Sequence, residues 1–299
     1  MLLSRIISLV LAVVPALAAP TATTALNTTQ TIFQYSDNGT WLENIAVRQN
    51  GSILTTRLDV PELWEIDPTW TRNASLIHTF PGVSTGNFSI QTLSTPGTYA
   101  LWQVDLTSTE PNVSIIAQVP KADFLNGLAL FDQDNLLATD SAKGVIWRIN
   151  IPSGNYSIAL SDPATLLSAT DSPKPVGVNG LKVHCKYVYY SSTTCMVLAR
   201  VPFNKHSAPS GPVEIIAGGF TPDDFVLAGN GTAYVATNAQ NSLLKVEPSG
   251  RVTTVAGNLF TTALAGATSV ALSRDGKTLY VSTAGGQFDP VLGDIIEPA

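Results

Sequence analysis

Charge is scarce in this 299-residue chain: Asp, Glu, Lys and Arg make up 13% of it, the formal net charge is −6, and Lys and Arg gather nowhere into a basic cluster. The electrostatic footprint with which proteins hold nucleic acid or anionic membranes is therefore missing, and neither is an expected partner. Cysteine is scarcer still, with only Cys185 and Cys195. A strand reading puts these two near opposite ends of one strand, about 20 Å apart at roughly 3.3 Å per residue, beyond disulfide reach. The three histidines, His78, His184 and His206, fall at no metal-ligand spacing. With no G-x-S-x-G and no Cys/His signature, covalent acyl transfer is not expected. Helical periodicity is almost absent, and no run beyond residue 20 is long and apolar enough to span a bilayer.

What is present points to the secretory route. Residues 1–18 combine an early Arg5, an apolar run from Ile6 to Leu17 and the small residues Ala16 and Ala18 at a cleavage site, the layout of a secretory signal cut before Ala19. Pro15 interrupts the run, which is also shorter than the roughly 20 residues of a spanning helix. Asn-x-Ser/Thr acceptors stand at Asn27, Asn38, Asn50, Asn73, Asn87, Asn112, Asn155 and Asn230. A secreted or lumenal glycoprotein is expected, with no membrane span in the mature chain. Residues 19–30 form an N-terminal segment ahead of a single domain over 31–299, since no Pro/Ser/Gly-rich linker divides the chain.

The apolar residues alternate or come in short β-branched runs between Gly, Asn, Asp and Pro, so the fold class is all-β. One unit returns along the chain: Glu43-Asn44-Ile-Ala-Val, Asn126-Gly-Leu-Ala-Leu, Asn179-Gly-Leu-Lys-Val, Asp223-Asp-Phe-Val-Leu and Thr268-Ser-Val-Ala-Leu. Each start leads into a second strand (GSILTTRL, NLLATDS, YVYYSST, GTAYVATN, TLYVSTAG), usually a third and often a fourth. Four strands returning about every 40–50 residues mark the blade of a β-propeller, because one antiparallel sheet cannot bury both faces alone. The 83 residues from Glu43 to Asn126 leave room for one further blade, giving six. The second is expected to lack its innermost strand, since only PGVSTG stands where it should be, and the last to stop short at IIEPA. TIFQYS (31–36) is expected to complete the last blade as an N-terminal strand.

In a propeller the innermost strands line a central channel, so Glu43, Asn126, Asn179, Asp223 and Thr268 are expected to converge. Carboxylates and amides gathered in a channel need a partner, and oxygen donors of this kind suit Ca²⁺ or Mg²⁺. Asn and Asp after Gly- and Pro-rich turns also serve as turn residues bonding their own backbone, and that reading stays open for Asn126 and Asn179. Among the histidines, only His78 is placed near the channel. The tryptophans mostly fall in third strands, where packing between blades accounts for them.

The units NGLAL, VNGLKV and PDDFVLAGNGTAYVA resemble the blade motifs of gluconolactonases and regucalcin-like proteins over most of residues 35–286. That resemblance implies a divalent metal held by Glu43, Asn179 and Asp223, and a substrate contact at Asn126. ENIAVRQNGSILTTRLDVPELWEIDP, HTFPGV, FLNGLALF and GVIWRIN are similar to a fungal branch of secreted propellers of secondary metabolism, some of which act as hetero-Diels–Alderases. The chain departs from that branch after HTFPGV and at its C-terminus.

Three functions are compatible with these residues. The first is a cycloaddition on a reactive polyketide- or terpenoid-derived intermediate, driven by orientation and hydrogen bonds to developing charge. The second is metal-dependent opening of a lactone, and the third is ligand binding without catalysis. The candidate catalytic residues are Asp223 and Asn126. The candidate substrate contacts are Glu43, Asn44, Asn126, Asn179 and Thr268, and no organic cofactor is expected.

Overall fold

The computed structural model describes residues 29–69, 73–81, 96–167 and 176–299, and among them there is no helix. The expected signal at 1–18, Asn27, Asn87, Trp70 and most of PGVSTG lie outside the described residues. Strands follow one another as antiparallel meanders, six sheets in chain order. The first holds β1 (Leu42–Val47), β2 (Ile53–Arg57), β3 (Glu62–Ile66) and β4 (Ala74–Thr79). The second has only β5 (Ala100–Asp105) and β6 (Asn112–Gln118) among the described residues. The third comprises β7 (Leu125–Leu130), β8 (Asn135–Asp140), β9 (Val145–Asn150) and β10 (Tyr156–Ser161). In the fourth are β11 (Val178–His184), β12 (Tyr187–Ser192), β13 (Val197–Pro202) and β14 (Glu214–Gly218). The fifth contains β15 (Phe225–Leu227), β16 (Ala233–Thr237), β17 (Ser242–Val246) and β18 (Val252–Gly257). The sixth has β19 (Ala267–Leu272) and β20 (Leu279–Thr283). The first strands meet each other in sequence, β7 with β11, β11 with β15, β15 with β19 and β19 with β1, as strands around a propeller channel do.

The core is a series of layers between neighbouring sheets rather than one central mass. Leu137 and Ile146 of the third sheet pack on Leu181, Val188 and Tyr190 of the fourth, and Leu198 of the fourth on Phe225 and Val235 of the fifth. Apolar side chains thus leave both faces of each sheet, which explains why inner and middle strands read as short β-branched runs. Between the sixth and first sheets the layer opens into a cleft of about 650 Å³, whose lining includes Ile45, Ile53 and Leu279.

That cleft marks the one strand expectation that fails. TIFQYS forms no strand beside β20. Instead Gln34 Nε2 donates to Pro298 O (2.9 Å) and Tyr35 N to Ala299 O (3.0 Å). The reason is topological: the sixth sheet has no third strand to carry the N-terminal segment as its fourth, so the segment pairs with the C-terminal tail. Cys185 and Cys195 are free thiols in the two turns flanking β12. His78, expected near the channel, sits instead on outermost β4 opposite Leu63, its ring against Phe80.

Hydroxyls tie the sheets around the channel. Thr139 at the end of β8 accepts from Gly127 N of its own sheet (2.7 Å) and donates to Asn179 O of the next (2.6 Å). Ser191 on β12 repeats this, accepting from Gly180 N and donating to Asp223 O, and Ser282 on β20 donates to Glu43 O (2.9 Å). Buried backbone donors and acceptors are thereby satisfied across these three joints, where water does not reach. This is the physical reason for Thr139, Ser191 and Ser282 near the ends of the second strands, in ATDS, YSST and VST.

Candidate functional site

Four of the five described innermost strands break register at the residue picked out by the repeat. The ladder skips between Leu42 and Ile45, Leu125 and Leu128, Val178 and Leu181, and Ala267 and Ser269. The bulges therefore hold Glu43 with Asn44, Asn126 with Gly127, Asn179 with Gly180, and Thr268. Bulges turn side chains out of the strand's alternation, and here they present one residue per sheet at the same end of the channel. In the fifth sheet the equivalent pair is Asp223 and Asp224, whose backbone brackets Ala236.

Asn179, Asp223 and Asp224 are buried at 4%, 5% and 6% exposure, and Glu43 is partly open to the channel. Asp223 accepts from Asn179 Nδ2 on Oδ1 (2.8 Å) and from Asn238 Nδ2 on Oδ2 (2.9 Å). Asp224 accepts from Lys182 Nζ on Oδ1 (2.6 Å) and from Ser269 Oγ on Oδ2 (2.7 Å). Glu43 Oε2 accepts from Trp41 Nε1 (2.6 Å), and Trp41 rests on Phe288 of the C-terminal tail. Burial raises Glu43 to about 7, against the Trp41 hydrogen bond and helped by Asp224. Burial, and then the Glu43 charge, push Asp223 well above the usual carboxylate range, against its two amide donors. Near neutrality this end of the channel holds a carboxyl that keeps its proton part of the time, beside the Lys182–Asp224 ion pair.

The glycines of the NGL units are required by close approach. A Cβ on Gly180 would stand 2.9 Å from Asp224 Cα, and one on Gly127 2.9 Å from Leu181 N. These contacts set the inner strands near enough for Asn179 to reach Asp223.

Of the residues expected to converge, Glu43, Asn179 and Asp223 form one electrostatic and hydrogen-bonded group. Asn126 is half-buried on the neighbouring strand, and neither its side chain nor that of Asn44 bonds a described residue. Thr268 is fully buried, and its hydroxyl donates to Leu42 O (2.8 Å) and Glu43 O (3.1 Å). It therefore holds the sixth sheet to the first. Asp224, Lys182, Asn238 and Trp41 were not singled out from the sequence. Lys182 was accessible to such reasoning, being two residues after Gly180 on the same strand face.

A divalent cation fits one part of this geometry. Asn179 Oδ1 is buried with no hydrogen-bond donor, and it lies in the same group as the Glu43 and Asp223 carboxyls, which are costly to ionise as they stand. Among the described residues, however, His, Cys, Asp and Glu form no metal-binding group of three, so the amide would have to be the third ligand.

No family model matches the sequence. Two relatives do: proteins named as hetero-Diels–Alderases from a Phoma species and from Sarocladium schorii. The first is 24% identical over 218 residues, 59% of this chain and 62% of the relative. The second is 24% identical over 273 residues, 74% of this chain and 68% of the relative. The chain thus spans about three-fifths of the first relative's length. Among solved structures, a calcium-binding regucalcin of Agrobacterium tumefaciens superposes with a TM-score of 0.62 at 14% identity, over 85% of both chains. The fold is that of the regucalcin-type propellers. In such a propeller the group at Glu43, Asn179 and Asp223 stands where the innermost strands converge, and the resemblance read from the blade motifs holds at the level of fold and of sequence relatives.

Proposed function

We propose that the chain is an enzyme that binds a reactive polyketide- or terpenoid-derived intermediate in its channel and accelerates a hetero-Diels–Alder cycloaddition. The observation carrying this reading is the buried Glu43 carboxyl, pushed up to about 7, beside the Lys182–Asp224 pair, in a chain whose sequence relatives are named for that reaction. The channel orients diene and alkene, converting a bimolecular encounter into one between held partners. Glu43, and Lys182 next to Asp224, donate toward the oxygen of the heterodiene as charge develops on it. A single donor so placed is worth about 3–4 kcal/mol in well-studied oxyanion sites. Asn126 and Asn44, free of bonds to described residues, are available to the substrate. Export through the secretory pathway goes with this reading, and no helix among the described residues is long and apolar enough to cross a membrane.

The test is incubation with an o-quinone methide released in situ and an alkene partner, with chiral chromatography of the adduct. An accelerated reaction giving one enantiomer is expected. A racemic adduct at the background rate would overturn the proposal.

The donorless Asn179 Oδ1 favours a second reading, lactone hydrolysis. Glu43, Asn179 and Asp223 would hold a divalent cation, which would polarise the lactone carbonyl. Ring opening that stops on chelation and returns with Ca²⁺ or Mg²⁺ would put this reading first.

A further inference from the structure

The outermost strands of the first three sheets share a feature that the site does not use. Each begins with the same four-residue pattern: Asn73-Ala-Ser-Leu76 on β4, Asn112-Val-Ser-Ile115 on β6 and Asn155-Tyr-Ser-Ile158 on β10. The three apolar residues are exposed, at 48%, 44% and 52%. Each faces a tryptophan on the third strand, in the registers Trp64–Leu76, Trp102–Ile115 and Trp147–Ile158. In the fourth and fifth sheets the tryptophan and the acceptor asparagine are missing together: Ala199 stands opposite Ile215, and Leu244 opposite Thr254.

An indole gains from an aliphatic cross-strand neighbour, as Leu76, Ile115 and Ile158 are to the three tryptophans. The consequence is a bare hydrophobic side chain on an edge strand, whose unpaired backbone groups are a template for pairing with another chain. The asparagine lies three residues away, about 10 Å along the strand, at a distance an oligosaccharide spans. All three asparagines are exposed, and none of their side-chain amides bonds a described residue.

We propose that Asn73, Asn112 and Asn155 carry N-linked glycans whose role is to cover the β4, β6 and β10 edges and keep the propeller monomeric. The modification rests on passage through the secretory pathway and is independent of the reaction in the channel. The oligosaccharide comes from a polyprenyl-diphosphate-linked donor of that pathway. A bond forms from asparagine Nδ2 to the anomeric carbon, and the anomeric carbon–oxygen bond breaks. The diphosphate leaves with the electron pair, and the amide gives one proton to the transferase.

Of the six described acceptor asparagines, Asn50, Asn73, Asn155 and Asn230 fall in turns between first and second or third and fourth strands, and Asn112 opens β6 directly after such a turn. The meander places those turns at the end of the propeller opposite Glu43, Asn179 and Asp223. Glycans there leave the channel mouth open.

The experiment expresses the full chain in a eukaryotic secretory host behind a foreign leader, so that the result does not depend on export by residues 1–18. Sites are mapped by peptide-N-glycosidase release in heavy-oxygen water and mass spectrometry. The folded protein is then deglycosylated enzymatically and followed by light scattering. The expected result is glycan on all three asparagines, and self-association after its removal that L76T/I115T/I158T suppresses. Any of the three left bare in secreted protein overturns the proposal. So does deglycosylated protein that stays as monodisperse as the glycosylated form, or association that the threonine variant does not reduce.

Discussion

Replacing Glu43 by Gln separates a cation-free channel from a cation-holding one through stability alone. Burial moves this carboxyl from its ordinary 4.5 to about 7, so the folded chain keeps the proton to higher pH than the unfolded chain does. The sign follows: the contribution of Glu43 to stability is fully present below pH 4.5 and is lost as pH rises through 7, where the carboxyl must ionise in place. At 1.36 kcal/mol per pH unit the loss is about 3 kcal/mol at most, and solvent in the channel reduces it to about 1–2 kcal/mol. Gln cannot ionise, keeps an oxygen for Trp41 Nε1, and removes the charge that raises Asp223. Urea unfolding at pH 4.5 and pH 8.5 should show wild type and E43Q equal at the lower pH, and E43Q more stable by about 1–2 kcal/mol at the higher one. A gain of equal size at both pH values would refute the assignment of the cost to ionisation. A loss at pH 8.5 that disappears on chelation would show a cation on Glu43 and move lactone hydrolysis ahead of cycloaddition.

Three further substitutions probe the parts that hold the site. N179D deletes the amide donor to Asp223 and adds a fourth carboxyl to Glu43, Asp223 and Asp224, so it should cost about 2–4 kcal/mol at pH 7 in urea titration and abolish turnover, with part of the stability returning at pH 4.5. G180A forces a Cβ against the backbone of Asp224, which cannot swing aside; a loss of about 1–3 kcal/mol is expected, and a melt unchanged from wild type would refute the close approach. T139V keeps the shape of the side chain but leaves Gly127 N and Asn179 O without their shared hydroxyl, so thermal unfolding should report about 1–3 kcal/mol lost between the third and fourth sheets.

What the sequence disclosed and what it withheld divide along one physical line, position against orientation. The repeat located the first strand of five sheets because hydrophobic alternation and Gly/Asn/Asp turns are local properties, and in four of them a bulge falls at the residue where the repeat begins. Equivalent positions in a repeat need not have equivalent side-chain directions, however. Thr268 matches Asn179 in the pattern, but its hydroxyl is spent on the carbonyls of Leu42 and Glu43, because the sixth sheet must be tied to the first. Asp224 was hidden behind Asp223: in a regular strand the second of two adjacent residues faces away, and only the bracketed Ala236 brings both carboxylates to the channel end. Asn238 lies 15 residues beyond Asp223, in the turn after β16, and no local rule links it to that carboxylate. TIFQYS shows the converse limit, since its composition suits a strand but a strand also needs a partner, and the two-stranded sixth sheet offers it none. The site is therefore a product of closure: Glu43 from the first sheet meets Asp223 and Asp224 from the fifth only where the sheets complete the ring, and it is in that meeting that burial and repulsion raise Glu43 and Asp223.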